Sequence, residues 1–270
     1  MTDEELAAAQ KVVDDRIAED NLNAEFEAQI RQQINESMPH ISDVMDLSVL
    51  KEEYKANKFE NCFDVLYAKY KSVRRMRRDG SCFYRAFLFQ LFEHLILTKE
   101  TEETQAMYAK IKRIVEESKQ DLMTNAGYDE IVIGDFFDAF TDAINMIPDV
   151  QPAEAHAKII EKLGNNEEAN YLIMYIRWLT ACYLKKNAIL YEDFVGGDIA
   201  GFCIREVEQL DVDADHLQII ALTSYFEMGV EINSVDGNGT IQTIPLPEDG
   251  YNGWRPKLLY VPGHYDALYQ

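Results

Sequence analysis

The chain has 270 residues, a length that suits one large domain or two small ones. Apolar residues make up 47% of it, which is enough for a packed core and too much for a disordered chain. With 48 Asp and Glu against 26 Lys and Arg, the formal charge of -22 repels phosphate backbones. This charge argues against nucleic acid as a partner and favours basic protein surfaces.

The cysteine content and the apolar segments indicate the class of protein. The four cysteines include no CxxC pair and are too few for a disulfide-stapled secreted domain of this size. The start, MTDEELAAAQ, has neither the basic nor the apolar region of a signal peptide. The longest apolar stretch, residues 171–184, contains Arg177 and is too short to span a bilayer. We therefore expect a soluble, thiol-reduced protein of the cytoplasm or nucleus with no membrane contact.

The first segment in chain order is an extended helical pattern. Residues 3–37 contain no Gly or Pro and carry apolar side chains at near-helical spacing, which predicts one long helix or two with a narrow apolar stripe. Pro39 and His40 end the pattern. Either the helix packs along the domain edge, or it is a mobile arm that docks a partner. The simplest division is an N-terminal helical arm, 1–40, and one domain, 41–270.

Helical periodicity dominates residues 47–184. It predicts helices at 59–70, 82–97, 99–125, 128–147, 153–163 and 165–183. The last of these is apolar nearly all round, so we expect it to be buried.

The hydrophobic period changes in the last part of the chain. Residues 216–222 (HLQIIAL) form a short apolar run that predicts a strand, and residues 230–234 and 240–244 alternate on either side of a DGNG turn signal. Residues 257–261 and 265–269 predict two more strands. Helices followed by a sheet drawn mostly from about the last sixty residues indicate an α+β fold.

One cysteine stands at a predicted helix start. Asp79-Gly80 forms a turn, and the helical period begins directly after Ser81, so Cys82 falls in the first helical turn. The helix dipole and the unpaired N–H groups there favour a thiolate, and the same groups can stabilise an oxyanion. The alternative is a small buried hydrophobe. That second interpretation is preferred for the cysteines inside apolar helical patterns: Cys62, Cys182 and Cys203.

A histidine and a carboxylate close the sequence. If residues 264–269 form a strand, His264 and Asp266 lie on the same face, where the carboxylate can fix the tautomer of the imidazole. Gly263 leaves the ring approachable. Taken alone, His264 is better interpreted as a surface turn histidine. Together with Cys82, however, it completes a pairing that thiol proteases use on several folds.

Residues 79–87 (DGSCFYRAF) resemble the catalytic loop and helix of the ovarian-tumour (OTU) deubiquitinases, and among these the otubains. The resemblance continues through 47–54 (LSVLKEEY), 206–208 (EVE), 215–216 (DH) before 219–222 (IIAL), and 262–266 (PGHYD), and it covers roughly residues 40–270. Several motifs in the right order are far more specific than any one of them.

The resemblance implies a papain-like OTU fold with a small central, mostly antiparallel sheet flanked by helices. It implies hydrolysis of isopeptide bonds in ubiquitin chains, with preference for the proteasome-targeting, K48-type linkage. By position, Cys82 is the nucleophile, His264 the general base and Asp266 its orienting carboxylate, and Asp79 belongs to the oxyanion-hole loop. No cofactor and no metal are expected.

The resemblance also implies partners and a binding surface. Ubiquitin, polyubiquitin and ubiquitin-conjugating (E2) enzymes are the expected partners of a monomer, with the N-terminal arm contacting ubiquitin or an E2. The expected substrate-binding residues are Gly80, Ser81, His216, Gly263 and Tyr265. Two positions depart from the family: Ser81 stands where Asn is common, and Arg78 where related otubains have Pro.

Two other functions compete with this interpretation. A binding protein would sequester ubiquitin-charged E2 enzymes without hydrolysis, and an acidic helical scaffold would have no ubiquitin role at all.

Three further patterns are set aside as functional sites. Asp211, Asp213 and Asp215 resemble the start of a calcium loop, but the sixth and twelfth positions do not fit. Residues 196–201 (GGDIAG) are interpreted as a helix-capping loop. The arginines of residues 74–78 predict a solvated basic face rather than a localisation signal.

Overall fold

The computed structural model describes residues 38–54, 63–164, 166–235 and 240–270. Nearly all of the predicted N-terminal arm therefore lies outside the described residues, as do Cys62 and the predicted turn at 236–239. Pro39–Gln270 forms one compact unit.

The helices and strands follow one another along the chain. In order they are β1 (Ile41–Asp46), α1 (Ser48–Glu53), α2 (Phe63–Lys69), β2 (Ser72–Met76), α3 (Cys82–Leu97), α4 (Glu102–Asp121), α5 (Glu130–Asn145), α6 (Ala155–Leu163), α7 (Asn166–Lys186), α8 (Ala188–Tyr191), α9 (Ile199–Phe202), α10 (His216–Tyr225), β3 (Val230–Val235), β4 (Ile241–Leu246), β5 (Lys257–Val261) and β6 (His264–Tyr269). Single π-helical turns, Leu122–Ala126 and Cys203–Val207, follow α4 and α9.

The strands form one six-stranded sheet in the order β1-β2-β6-β5-β3-β4. Only the β3–β5 pair is parallel among the strand pairs of the described residues. The predicted small, mostly antiparallel sheet flanked by helices is confirmed. Strand β6 lies in the interior, with Ala267 opposite Arg74 of β2 and Asp266 opposite Leu259 of β5. Hydrogen bonding on both edges fixes the register of β6 and therefore the position of its side chains.

Helix α3 is the central helix of the core. Of its sixteen residues, thirteen are buried, and it packs on β6 and against α7. A helix that is apolar on every face is stable only inside a domain. The burial of α3 carries its N-terminal residue, Cys82, into the interior beside the sheet.

The helices at 82–97 and 165–183 agree with the predicted segments, and Cys182 and Cys203 are buried as expected. The predicted capping loop is also confirmed, because the Asp198 side chain accepts a hydrogen bond from the Gly201 N–H at the start of α9. Within the described ranges, no helix is long and apolar enough to cross a membrane.

Two predictions about secondary structure are wrong. Strand β2 lies within residues 47–184, which were expected to be mainly helical, and β1 directly precedes that range, so the sheet draws on residues 41–76 as well as on the end of the chain. Residues 216–222 belong to helix α10, not to a strand. The reason is a capping box, in which Asp215 caps the helix and Gln218 reaches back to the Asp215 N–H.

Candidate active site

The nucleophile candidate sits at the tip of the central helix. Cys82 is the first residue of α3 and Ser81 is its N-cap residue. Gly80 precedes them with φ +78°. A Cβ at Gly80 would lie 2.2 Å from the carbonyl carbon of Asp211, so the tight turn requires glycine for both its backbone conformation and its contact.

Asp79 ties this turn to the helix that follows it. Its carboxylate accepts the Ser81 N–H at 3.1 Å and forms a bidentate pair with Arg85 at 2.9 and 2.8 Å. Burial by itself raises the pKa of Asp79, but the hydrogen bonds and charge of Arg85 outweigh it, and the net shift is downward. Asp79 therefore shapes the loop before Cys82 through its ion pair with α3.

The base candidate is the first residue of β6. Its Nε2 lies 2.9 Å from Oδ1 of Asp266, so His264 and Asp266 share one face of the strand as the i, i+2 spacing requires. The Nδ1 of His264 is buried and has no hydrogen-bond partner among the described residues. An Nε2–H donated to Asp266 leaves Nδ1 as the lone-pair nitrogen that can take a proton.

Helix α3 and strand β6 meet at the sulfur. The backbone N–H of Tyr265 donates to Sγ of Cys82 at 3.4 Å, which places the thiol against the residue next to His264. The thiol also faces Oδ1 of Asp213 at 4.0 Å. Among the described residues, Sγ forms no hydrogen bond with the imidazole. The thiol contacts the backbone of the residue that follows His264, and a hydrogen bond between the thiol and the imidazole requires a rearrangement.

Asp266 is held on three sides. Its Oδ1 accepts the Met76 N–H at 2.8 Å as well as the His264 contact, and its Oδ2 lies 2.8 Å from Nε of Arg75. Burial alone raises the pKa of Asp266, but the hydrogen bond and charge of His264 and the charge of Arg75 keep that pKa below its usual value. The carboxylate therefore stays ionised inside the core, where it can fix the imidazole.

The arginines of residues 74–78 are mostly not on a solvated face. Arg74, Arg75 and Arg77 are buried, so that prediction is wrong for three of the four. In the strand β2, Arg75 bridges Asp266 to Glu53 at the end of α1. Successive side chains of a strand point to opposite faces of the sheet. Had residues 72–76 been predicted as a strand, this alternation would have placed Arg75 on the opposite face from Arg74.

The cysteine in this closed arrangement is a neutral thiol. Cys82 is 1% exposed. Burial raises its pKa to about 12, the nearby carboxylates of Asp213, Asp266 and Asp79 also raise it, and the Tyr265 N–H lowers it. The helix N-terminus favours a thiolate and so lowers the pKa of the thiol, but in the closed site burial raises that pKa by more.

The residues expected to bind substrate fall into two groups. His216, Gly263 and Tyr265 line a surface groove of about 930 Å³, which also runs past Asp213, Asp215 and Tyr260 to the exposed side chain of Phe194. Ser81 is buried instead, and its hydroxyl donates to the Leu210 carbonyl at 2.6 Å. Gly80 packs against Asp211. In the first group His216 and Gly263 are exposed and Tyr265 is a buried part of the groove wall, whereas the second group underlies the site.

The family is shown by comparison with known proteins. The family Peptidase C65 Otubain matches residues 33–270, which is most of the chain. The chain belongs to the otubain family. Among similar otubains, the Ubiquitin thioesterase OTUB1 of Homo sapiens is 35% identical over 250 residues, covering 89% of this chain and 87% of that protein. The Ubiquitin thioesterase otubain-like of Caenorhabditis elegans is 31% identical over 247 residues, covering 87% and 82%.

Solved otubain structures share the fold. A complex of h/ceOTUB1 with ubiquitin aldehyde and UBC13~Ub has a TM-score of 0.80 at 28% identity, covering 93% of this chain and 98% of that one. The corresponding complex with UBCH5B~Ub has a TM-score of 0.79 and covers 94% and 98%. The OTU fold of this chain follows from this likeness.

We expect the unliganded protein to react with iodoacetamide at Cys82 at a rate that still rises between pH 7 and pH 10. The physical reason is that burial and nearby carboxylates raise the pKa of the thiol to about 12, so the thiolate fraction grows throughout this range. Peptide mass spectrometry resolves Cys82 from the other cysteines. A rate that reaches its plateau near pH 7 contradicts the closed, protonated thiol.

Replacing Arg75 by Met is expected to lower kcat by about tenfold, roughly 1.4 kcal/mol, because Asp266 loses the cation that holds its second oxygen. Turnover of a fluorogenic ubiquitin C-terminal amide measures the effect. Arg74→Met is the matched control, since Arg74 is a neighbouring buried arginine that pairs with Glu93 rather than with Asp266. Equal rates for both variants show that Arg75 does not orient the site.

Proposed function

We propose that this chain is a deubiquitinase that hydrolyses isopeptide bonds in ubiquitin chains, with Cys82 as nucleophile, His264 as general base and Asp266 as its orienting carboxylate. The observation that carries the proposal is the convergence of α3 and β6. The sulfur of Cys82 accepts the Tyr265 N–H, and the adjacent imidazole is bound to Asp266 at 2.9 Å with Nδ1 unpartnered in the described structure.

In the proposed first half-reaction, Nδ1 of His264 takes the thiol proton, and the Cys82 thiolate attacks the carbonyl carbon of ubiquitin's C-terminal glycine. Backbone N–H groups at the start of α3 and in the Asp79–Gly80 turn stabilise the oxyanion, because the first N–H groups of a helix have no intrahelical partner. The C–N bond then breaks as His264 returns its proton to the leaving lysine amine. The product is a thioester on Cys82.

In the second half-reaction, His264 removes a proton from water, and the resulting hydroxide attacks the thioester carbonyl. The C–S bond breaks and the Cys82 thiolate recovers its proton from His264. Asp266 stays ionised throughout and stabilises the imidazolium of both half-reactions, which is the role of the carboxylate in such triads. No cofactor enters either half-reaction.

Substrate binding is coupled to opening of the site in this proposal. Cys82 and His264 are 1% and 2% exposed, so no carbonyl reaches the sulfur in the closed form. The loop before α10 lies against the sulfur, since its Asp213 faces the thiol. Displacing Asp213 removes a carboxylate that raises the pKa of Cys82, so the same movement uncovers the nucleophile and favours its ionised form.

The groove beside the site is the proposed seat of the ubiquitin whose C-terminus is cleaved. It runs from Gly263 and Tyr265, which flank His264, to Phe194, whose side chain is 80% exposed. Ile189, Leu190 and Ile204, which neighbour the groove residues Tyr191 and Arg205 in sequence, are also exposed. Exposed apolar side chains such as Phe194 in a groove are typical of a protein-binding surface. An extended tail lying in the groove would bring its last carbonyl to Cys82.

Linkage preference and the E2 partner are further parts of the proposal. Preference for the K48-type linkage is supported by the resemblance to otubains. Binding of E2 enzymes is supported by the solved complexes of OTUB1, which contain UBC13~Ub or UBCH5B~Ub. The charge of -22 favours association with basic surfaces.

We expect Cys82→Ala to reduce cleavage by at least about 10⁴-fold against a panel of di-ubiquitins of every linkage, because the variant has no nucleophile. Its affinity for di-ubiquitin should persist. Asp266→Asn should lose less, since it retains the nucleophile and a polar partner for His264. In this panel the wild-type protein should cleave the K48-linked dimer fastest.

Cleavage by Cys82→Ala at the wild-type rate rejects the assignment of the nucleophile. A full wild-type rate for Asp266→Asn means that another residue orients His264. Wild-type protein that cleaves no linkage rejects the proposed function as a whole.

The competing function, sequestration of ubiquitin-charged E2 enzymes, is favoured by the E2-bound complexes of OTUB1. It is separated from hydrolysis by a conjugation reaction containing an E2 and ubiquitin. If hydrolysis accounts for the effect, wild-type protein suppresses the accumulation of chains and Cys82→Ala does not. Suppression by Cys82→Ala at equal concentration establishes non-catalytic inhibition.

A further inference from the structure

Arg177 is a buried cation in the middle of α7 that points at the loop before the nucleophile. Its side chain is fully buried. The guanidinium lies 2.8 to 3.1 Å from oxygens of five residues, and four of those oxygens are backbone carbonyls. Nη1 donates to one of the five oxygens, and the two N–H groups of Nη2 are shared among the other four. The acceptors are the carbonyls of Gly80, Val207, Leu210 and Val212 and the hydroxyl of Ser81.

These acceptors belong to two separate segments. Gly80 and Ser81 form the turn that leads into Cys82, and residues 207–212 lead to Asp213, which faces the thiol. The two segments also touch directly, through the Ser81 hydroxyl on the Leu210 carbonyl and through the close approach of Gly80 to Asp211. Arg177 thus ties the loop that presents the nucleophile to the loop that covers it.

Several inward-pointing carbonyls explain why an arginine occupies this position. Buried carbonyl groups need donors, and the planar guanidinium carries five N–H groups in a fixed fork. None of the acceptors is a carboxylate. Instead the face of the Tyr84 ring lies 4.3 Å from the guanidinium carbon. Burying a charge without a direct counter-ion costs free energy, so the contribution of Arg177 is the geometry that it imposes on the carbonyls around it.

The peptide between Gly80 and Ser81 is held at both ends. Its carbonyl oxygen accepts from Arg177 at 2.8 Å, and its N–H donates to Asp79 at 3.1 Å. A planar peptide held in this way cannot rotate about its flanking bonds. The path of the chain into Cys82 is therefore fixed, and with it the direction of the N–H groups that precede and begin α3.

We propose that Arg177 is a positioning residue for the hydrolysis, because it fixes the Gly80–Ser81 peptide and thereby the oxyanion-binding N–H groups beside Cys82. The inference rests on the proposed function in that Cys82 is taken as the nucleophile. Arg177 touches neither substrate nor reacting atoms and acts through the turn. Its loss should therefore lower kcat rather than weaken binding of ubiquitin in the groove.

The test compares Arg177→Lys and Arg177→Met with Arg74→Lys, using a fluorogenic ubiquitin C-terminal amide. Lys keeps the charge, but its side chain is one atom shorter and has no planar fork, so its ammonium group cannot take the positions of both Nη1 and Nη2. Arg74 is the matched control, since it is also a buried arginine, but its contacts are with Ser42, Glu93 and Tyr269. Thermal unfolding and circular dichroism identify variants that fold.

For Arg177→Lys we expect kcat to fall by about 10- to 100-fold, since misplacing an oxyanion donor should cost somewhat less than removing one. KM should stay within about threefold of wild type. Arg74→Lys should keep kcat within about twofold even if its melting temperature falls. Wild-type kcat in Arg177→Lys, or a loss confined to KM, overturns the inference.

A second readout does not depend on ubiquitin. Release of the covering segment should expose the thiol, so iodoacetamide should alkylate Cys82 at least about fivefold faster in Arg177→Lys than in wild type or Arg74→Lys, measured at pH 8. If wild-type protein cleaves no ubiquitin substrate, the proposed function fails and alkylation alone decides the role of Arg177. In that case equal alkylation rates overturn it.

Discussion

The contact between the sulfur at the tip of α3 and the backbone of β6 is the interaction on which the site depends. Helix α3 is buried on nearly every face, and β6 is hydrogen-bonded on both edges, so neither element can shift without disturbing the core. The hydrogen bond from the Tyr265 N–H to Sγ of Cys82 joins these two rigid elements. Two elements separated by most of the chain are thereby held next to each other, so only a local rearrangement of side chains and the covering loop remains before proton transfer.

Three buried arginines stabilise the residues around this contact, although the protein as a whole is strongly acidic. Arg85 fixes Asp79 within the catalytic turn, Arg75 fixes Asp266 behind the imidazole, and Arg177 fixes the turn itself. Each guanidinium satisfies carboxylate or carbonyl oxygens that would otherwise be buried without donors. The outer surface carries the negative charge, whereas these cations lie inside.

The positions of the candidate site residues were predictable because they follow from local sequence patterns. Asp79-Gly80 before an apolar helical period fixed the place of Cys82, and the spacing of His264 and Asp266 placed them on one face of a strand. One segment was predicted wrongly because its composition was given more weight than the helix cap next to it. Residues 216–222 have the composition of a strand, yet the capping box of Asp215 and Gln218 and the surrounding core make them helical.

The sequence by itself determined the α+β class, the helix start at Cys82 and the terminal strand that carries His264 and Asp266 on one face, because each follows from side-chain period or turn chemistry over a few residues. Only the tertiary structure decided that β2 is an interior strand and that Arg75 faces Asp266 across it. It also decided that Arg177 reaches the turn at Gly80 and that burial keeps the thiol protonated. These properties depend on which atoms exclude water from a given group, and that is fixed when distant segments pack together.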